Sequence, residues 1–188
     1  ANWLMDADKG AGKLTARVLA NRLWYLLFGQ GLAPDLTDFG GQGQPPEHPE
    51  LLDNLSISLI DKNWRIKALL KEIVLSRTYR QTSSSYGKKI SFQTSYRLPA
   101  ETIRDNALAI SGLLVRDVGG ASIKPYQPAG YYRHLNFPTR KYTHHKDQRQ
   151  WRRGVYVHWQ RQFLHPMLKA FDAPRREECT AQRPSSNT

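Results

Sequence analysis

Between Arg97 and Leu114 the chain reads RLPAETIRDNALAISGLL, a stretch that constrains the fold more than any other. Pro99 suits the first position of a helix, where a missing amide hydrogen costs nothing. Glu101 places negative charge in the first turn, against the positive end of the helix dipole. Ile103, Ala107, Ile110 and Leu114 recur at the spacing of one helical face, which Leu108 and Leu113 widen. Glu101, Arg104, Asp105 and Ser111 occupy the flanks. Gly112 and the pair Gly119-Gly120 supply the stop. The pattern predicts a helix buried along its apolar face.

Three earlier helices follow from the same reasoning. Residues 14 to 28 form the first, with Thr15 as cap, an apolar face of Leu19, Leu23, Leu26 and Leu27, and Arg17, Asn21 and Arg22 off that face. Gly29 is its left-handed terminator. A loop rich in Gly and Pro then runs over residues 32 to 49, anchored by Asp38 and Phe39. Pro49 opens the second helix, whose buried face is Leu51, Leu52, Leu55, Leu59 and Ile60 and whose end is a left-handed Asn63. The third helix spans about 64 to 79, with Ile66, Leu69, Leu70, Ile73 and Val74 inward, so the pair forms a helical hairpin. Residues 81 to 96 are polar and Ser-rich and are expected to be a mobile surface loop.

Beyond residue 115 no clean period appears. Pro125, Pro128, Gly130 and Pro138, with Tyr126, Tyr131, Tyr132, Phe137 and Tyr142, read as an ordered, irregular wrap whose aromatics dock on the helices. Val155, Val157 and Trp159 alternate with Tyr156, His158 and Gln160, which predicts a short strand. Pro166 to Phe171 is expected to add a turn or two of helix, broken by Asp172-Ala173-Pro174. The fold class expected is mainly α. The 188 residues form a single partial domain, with a helical core over about 14–114, a basic, aromatic-rich region over 115–174 and a polar tail over 175–188. A short β strand or hairpin lies near the C-terminus.

Together with GGASIKPYQPAG, the stretch RLPAETIRDNALAISGLL resembles the core motif of the bacterial family designated domain of unknown function 1553. LTARVLANRLWYLLFGQGL with DFGGQGQPPEHPELLDNL is similar to its opening block. RRGVYVHWQRQ with MLKAFDAPRREEC is similar to its closing block. The three blocks stand in order across nearly the whole chain. The resemblance implies a planctomycete-specific, C-terminal domain of large exported proteins that often carry a cytochrome-c-like haem domain upstream. It thereby implies a periplasmic or extracytoplasmic location, haem c in an absent upstream domain with none in this piece, and other domains of the parent as partners. It assigns no reaction, and the motif residues Arg17, Asn21, Arg22, Asp38, His48 and Asp172 carry no assigned role.

The first residues, ANWLMDADKG, lack an initiator Met, a basic region and an apolar run, so they do not read as a signal peptide. The last, CTAQRPSSNT, stop without a terminating element, so the sequence reads as a piece cut at both ends. No apolar run approaches the roughly 18 residues of a membrane span. Cys179 is the only cysteine, which excludes an internal disulfide and a C-x-x-C-H haem attachment within this chain. Formal net charge is +12, concentrated toward the C-terminus, a bias that attracts polyanions.

Candidate chemistry is sparse. None of His48, His134, His144, His145, His158 and His165 stands in a metal-ligand spacing, so no metal site is expected. Glu101 and Asp105 lie one helical turn apart and could divide acid and base roles with Arg104 beside them. The commoner arrangement of such groups is a structural ion network. QRQWRRGVYVHWQR interleaves cations with aromatics, and Arg149, Trp151, Arg152, Arg153 and Arg161 are its binding candidates. The leading functional expectation is an accessory or interaction domain of an exported, haem-associated protein, linked to polysaccharide metabolism. A hydrolase or lyase acting on an anionic polysaccharide is the alternative. A polyanion or nucleic-acid binder working through the basic region is the third reading, with anionic glycan the favoured ligand over nucleic acid.

Overall fold

The computed structural model describes residues 2–82, 95–133, 141–161 and 163–174. The expectations for His134, Phe137, Pro138, Cys179, the tail over 175–188 and most of the Ser-rich loop lie outside these residues. Among the described residues there are six α-helices and no sheet, so the protein is mainly helical. Backbone contacts divide the chain into two compact units, Ala1–Arg97 and Leu98–Thr188. The helix of the Arg97–Leu114 stretch therefore groups with the irregular segments after it, not with the helices before it.

The first unit holds α1 (Asn2–Met5), α2 (Gly12–Phe28), α3 (Pro49–Asp61) and α4 (Ile66–Leu75). In α2 the core face is Ala16, Ala20, Leu23, Trp24 and Phe28, and Leu26 points outward, 54% exposed. The small side chains at Ala16 and Ala20, one turn apart, let α2 lie close against α3, with Arg17 reaching Asp53 at 3.3 Å. Thr15 does not cap the helix: its hydroxyl bonds back to the carbonyl of Ala11. Gly29 does end α2 in the left-handed region, φ +75°, where the ring of Tyr96 leaves no room for a Cβ.

Leu52, Leu55 and Leu59 of α3 and Leu69 and Ile73 of α4 complete this core. Trp24 stacks on Phe28 at 4.0 Å, and Phe28 meets Tyr79 edge-on. The α3–α4 link passes through Asn63 and Trp64, both left-handed, at φ 53° and 59°. A bulky residue resists that conformation. Packing of the Trp64 indole against the core offsets the strain. α4 begins later than expected, and Ile66 at its start is 42% exposed.

In the second unit, α5 (Ala100–Ile110) and α6 (Pro166–Ala170) flank two short 3-10 turns, Gln148–Trp151 and Gly154–Tyr156. Two expectations fail here. The first is burial of α5 along its apolar face: only Ala100 is fully buried, and Ile110 is 88% exposed. The core of this unit is built instead from Ala100, Ile123, Val157, Leu164, Leu168 and Ala173, and Ile110 at the far end of α5 lies beyond it.

The second is the C-terminal strand or hairpin. Gly154–Tyr156 is a 3-10 turn, whose three-residue period breaks the expected alternation. Val155 is thrown outward, 75% exposed, while Val157 is buried. Strand-like pairing among the described residues is limited to two isolated parallel bridges, Val115 with Arg152 and Ile123 with Val157.

Candidate functional site

The most chemically loaded part of the molecule lies where α5 meets the segment 150–157, and two arginines organise it. Arg104 is held on α5 with its side chain 9% exposed. Its two terminal nitrogens donate to the carbonyls of Arg152 and Gln150, each at 2.6 Å. The planar guanidinium puts one nitrogen on each carbonyl in a fixed fork, which the single ammonium nitrogen of lysine does not reproduce. Burial lowers its pKa, and the charge of Asp105 works against that shift. Asp105 lies 3.7 Å away, and its Oδ1 accepts the backbone N–H of Gly154 at 2.6 Å.

Gly154 is required by close approach. A Cβ there would fall 2.7 Å from the Cβ of Glu101 and 2.9 Å from its Cα. Arg152, itself buried, faces the other way. Its guanidinium donates to the carbonyls of Asp117, Gly119 and Ala121 and lies 4.0 Å above the Tyr156 ring. The Tyr156 hydroxyl accepts the N–H of Gly119 at 2.7 Å, closing the loop around the arginine. The cations and the carboxylate at this junction thus hold backbone in place.

His165 performs a similar task before α6. Its Nδ1 accepts the N–H of Met167, and its Nε2 donates to the carbonyl of Tyr126 at 2.9 Å, which fixes the neutral tautomer. Burial lowers its pKa, against the opposing pull of the Tyr126 carbonyl. Tyr142 donates to the carbonyl of Pro125 at 2.6 Å, and burial raises its pKa. Tyr131, Tyr132, Tyr142 and Phe163 meet mostly edge to face, at 5.5 to 6.1 Å.

The residues singled out from the sequence are thus scattered. Glu101, Arg104 and Asp105 share the α5 junction with Arg152. Arg149 is exposed and clamps Asp147, whose carboxyl is held down at about 2 by the guanidinium bonds. Arg153 and Arg161 are exposed, and Trp151 is half-buried. In the first unit, Asn21 is buried rather than off the core face: its amide exchanges two hydrogen bonds with the backbone of Ala33. Asp38 accepts the N–H of Gly40, Arg22 is exposed, and His48 precedes α3 without a side-chain cap bond. Asp172 follows α6 in the left-handed region.

Sequence reasoning missed the roles of Arg152, Gly154 and His165. The separations of 46 and 48 residues between Arg104 and its partners left no local signal. Tyr126, expected to dock on the helices, is 62% exposed. Among the described residues, no group of three or more His, Cys, Asp or Glu could hold a metal ion, and no helix is long and apolar enough to cross a membrane.

A family model described as PSD1, protein of unknown function (DUF1553), matches residues 1–188. No curated protein and no solved structure matches the chain.

Proposed function

The chain belongs to this DUF1553 family of unknown function, and from that premise we propose that it is an accessory interaction domain binding an anionic partner through its C-terminal unit. One observation carries the reading, a division of labour among the cations. Arg104 and Arg152 are turned inward onto carbonyls, whereas Lys141, Lys146, Arg153, Arg161 and Lys169 are exposed. The exposed Asp147 of the same stretch is neutralised by Arg149. Asp117 aside, the exposed charge that remains for a visitor on the described residues of this unit is positive. The alternative reading as a hydrolase or lyase makes Glu101 and Asp105 acid and base. Asp105 instead receives a backbone N–H and lies beside Arg104, which favours the interaction reading.

The parent carried forward in this proposal is exported, haem-associated and linked to polysaccharide metabolism, as the resemblance implies, and the domain works outside the cytoplasm. The full open reading frame tests that part: a signal peptide and a C-x-x-C-H motif support it, and a cytoplasmic start without such a motif removes it. Titration tests the binding itself. A heparin dodecasaccharide should bind at low salt and weaken steeply as salt rises, because each neutralised charge releases a counterion. A neutral glucan should not bind. Equal, salt-insensitive affinity for both would overturn the proposal.

A further inference from the structure

Two short segments of the second unit are locked side by side, IKPYQ at 123–127 and KYTHHK at 141–146. The N–H of His145 donates to the carbonyl of Lys124 at 2.9 Å, and the N–H of Lys124 donates back to Nδ1 of His145 at 3.0 Å. The hydroxyl of Tyr142 takes the carbonyl of Pro125, and Nε2 of His165 takes that of Tyr126. Ile123 is bonded on its other side to Tyr156 and His158, each at 2.7 Å. The backbone from 123 to 126 is therefore pinned from three directions.

From this rigid support the ring of Tyr126 projects into solvent, 62% exposed. His144 meets it edge-on, with centroids 5.4 Å apart and planes at 79°. Tyrosine is commonly part-exposed, and here the backbone beneath the ring is held by hydrogen bonds. The two segments carry Lys124, Lys141 and Lys146 and no carboxylate. Lys124 lies 6.0 Å from the centre of the Tyr142 ring.

We propose that Tyr126, backed by His144 on segments that carry Lys124, Lys141 and Lys146, is a preformed stacking site for one sugar ring of an anionic polysaccharide. This rests on the polyanion reading above and names its ligand and its place. A fixed aromatic lowers the entropic cost of binding, because the platform is ordered before the ligand arrives. Single-stranded nucleic acid fits less well, since its binders stack successive bases on several rings. The neighbouring rings of Tyr131, Tyr132, Tyr142 and Phe163 are half-buried and turned largely onto one another, which leaves one exposed platform among them. One ring with three cations suits a sugar bearing sulfate or carboxylate groups.

The test compares wild type, Tyr126→Ala, Tyr126→Trp and Lys124→Gln/Lys146→Gln against a heparin dodecasaccharide and a twelve-nucleotide single-stranded DNA. Tyr126→Ala should weaken heparin binding about tenfold at fixed salt, within the range of one lost stacking contact, and leave the salt slope unchanged. Tyr126→Trp should retain affinity, and the double Lys variant should flatten the slope. Circular dichroism of each variant should match wild type, because the side chains removed are exposed or partly so. Unchanged affinity in Tyr126→Ala, with salt-sensitive binding intact, overturns the stacking site and leaves the polyanion reading standing. DNA binding as tight as heparin and equally sensitive to Tyr126→Ala overturns the glycan assignment. Loss of all salt-sensitive binding in wild type removes both.

Discussion

The two units solve the same problem with different chemistry. In Ala1–Arg97, helices with apolar faces are long enough to make a core, and Leu52, Leu59, Leu69 and Ile73 are almost wholly removed from water. Polar contacts are accessories there, apart from Asn21, which ties Ala33 to α2. Among the described residues of Leu98–Thr188, regular structure is short, and a large share of the backbone has no helical or sheet partner. Backbone carbonyls drawn even partly out of water must still find donors. Arg104, Arg152, Tyr142 and His165 satisfy them from the side. The lesson is that a basic composition can serve the interior as well as the surface. Counting charges from the sequence overstates what is available to a partner.

That contrast can be broken at its two strongest points. Leu59→Ala should destabilise the first unit by about 3 kcal/mol through a cavity, and Arg104→Ala should cost the second about as much by stranding two carbonyls and Asp105. Amide exchange should separate them. The leucine variant should loosen α2 to α4, and the arginine variant α5 and the segment 148–157. Loss of protection in both units from either change would mean that they unfold as one. Arg104→Lys should recover little, because one ammonium nitrogen does not reproduce the two donor positions of the guanidinium fork.

Gly154→Ala probes the same junction sterically. The added methyl meets Glu101 side chain and backbone, so we expect about 1–3 kcal/mol of destabilisation, read from the denaturant midpoint. A neutral result would show that α5 is not seated on Gly154.

A graded effect should follow from His165. Its folded pKa lies below the ordinary value of about 6.5, so both states are uncharged above that pH and its contribution is fully present there. As pH falls through 6.5 toward the folded value, the unfolded chain takes the proton first, and stability is lost. Thermal midpoints between pH 7.5 and 5 should fall for the wild type and fall less for His165→Gln. Parallel curves would remove His165 from the account.

The smallest effect belongs to Ile110. With its side chain in solvent, Ile110→Asp should cost less than about 1 kcal/mol, mostly an unfavourable charge at the helix C-terminus. Unfolding by this variant would restore the burial that the sequence pattern predicts.

Local physics was legible without coordinates. The start of α3 at Pro49, the left-handed residues Gly29 and Asn63, and the burial of Leu52, Leu55, Leu59, Leu69 and Ile73 follow from period, proline, glycine and asparagine, because helix formation depends on neighbours within one or two turns. The bounds of α4 and the exposure of Ile66 do not. The same rules identified α5 as a helix and misjudged which of its residues are covered. Periodicity tells which side chains share a face, and says nothing of what lies opposite. Only the fold decides that Ala100 is buried and Ile110 is not, that Arg152 turns inward while Arg153 stays in water, and that Val155 leaves the core for a 3-10 turn. Each of those outcomes depends on partners tens of residues away, such as the carbonyls of residues 117–121 around Arg152 or those of 150 and 152 around Arg104. Hydrogen bonds of that kind leave no spacing in the chain, since a buried carbonyl accepts from whichever donor the tertiary structure brings within reach.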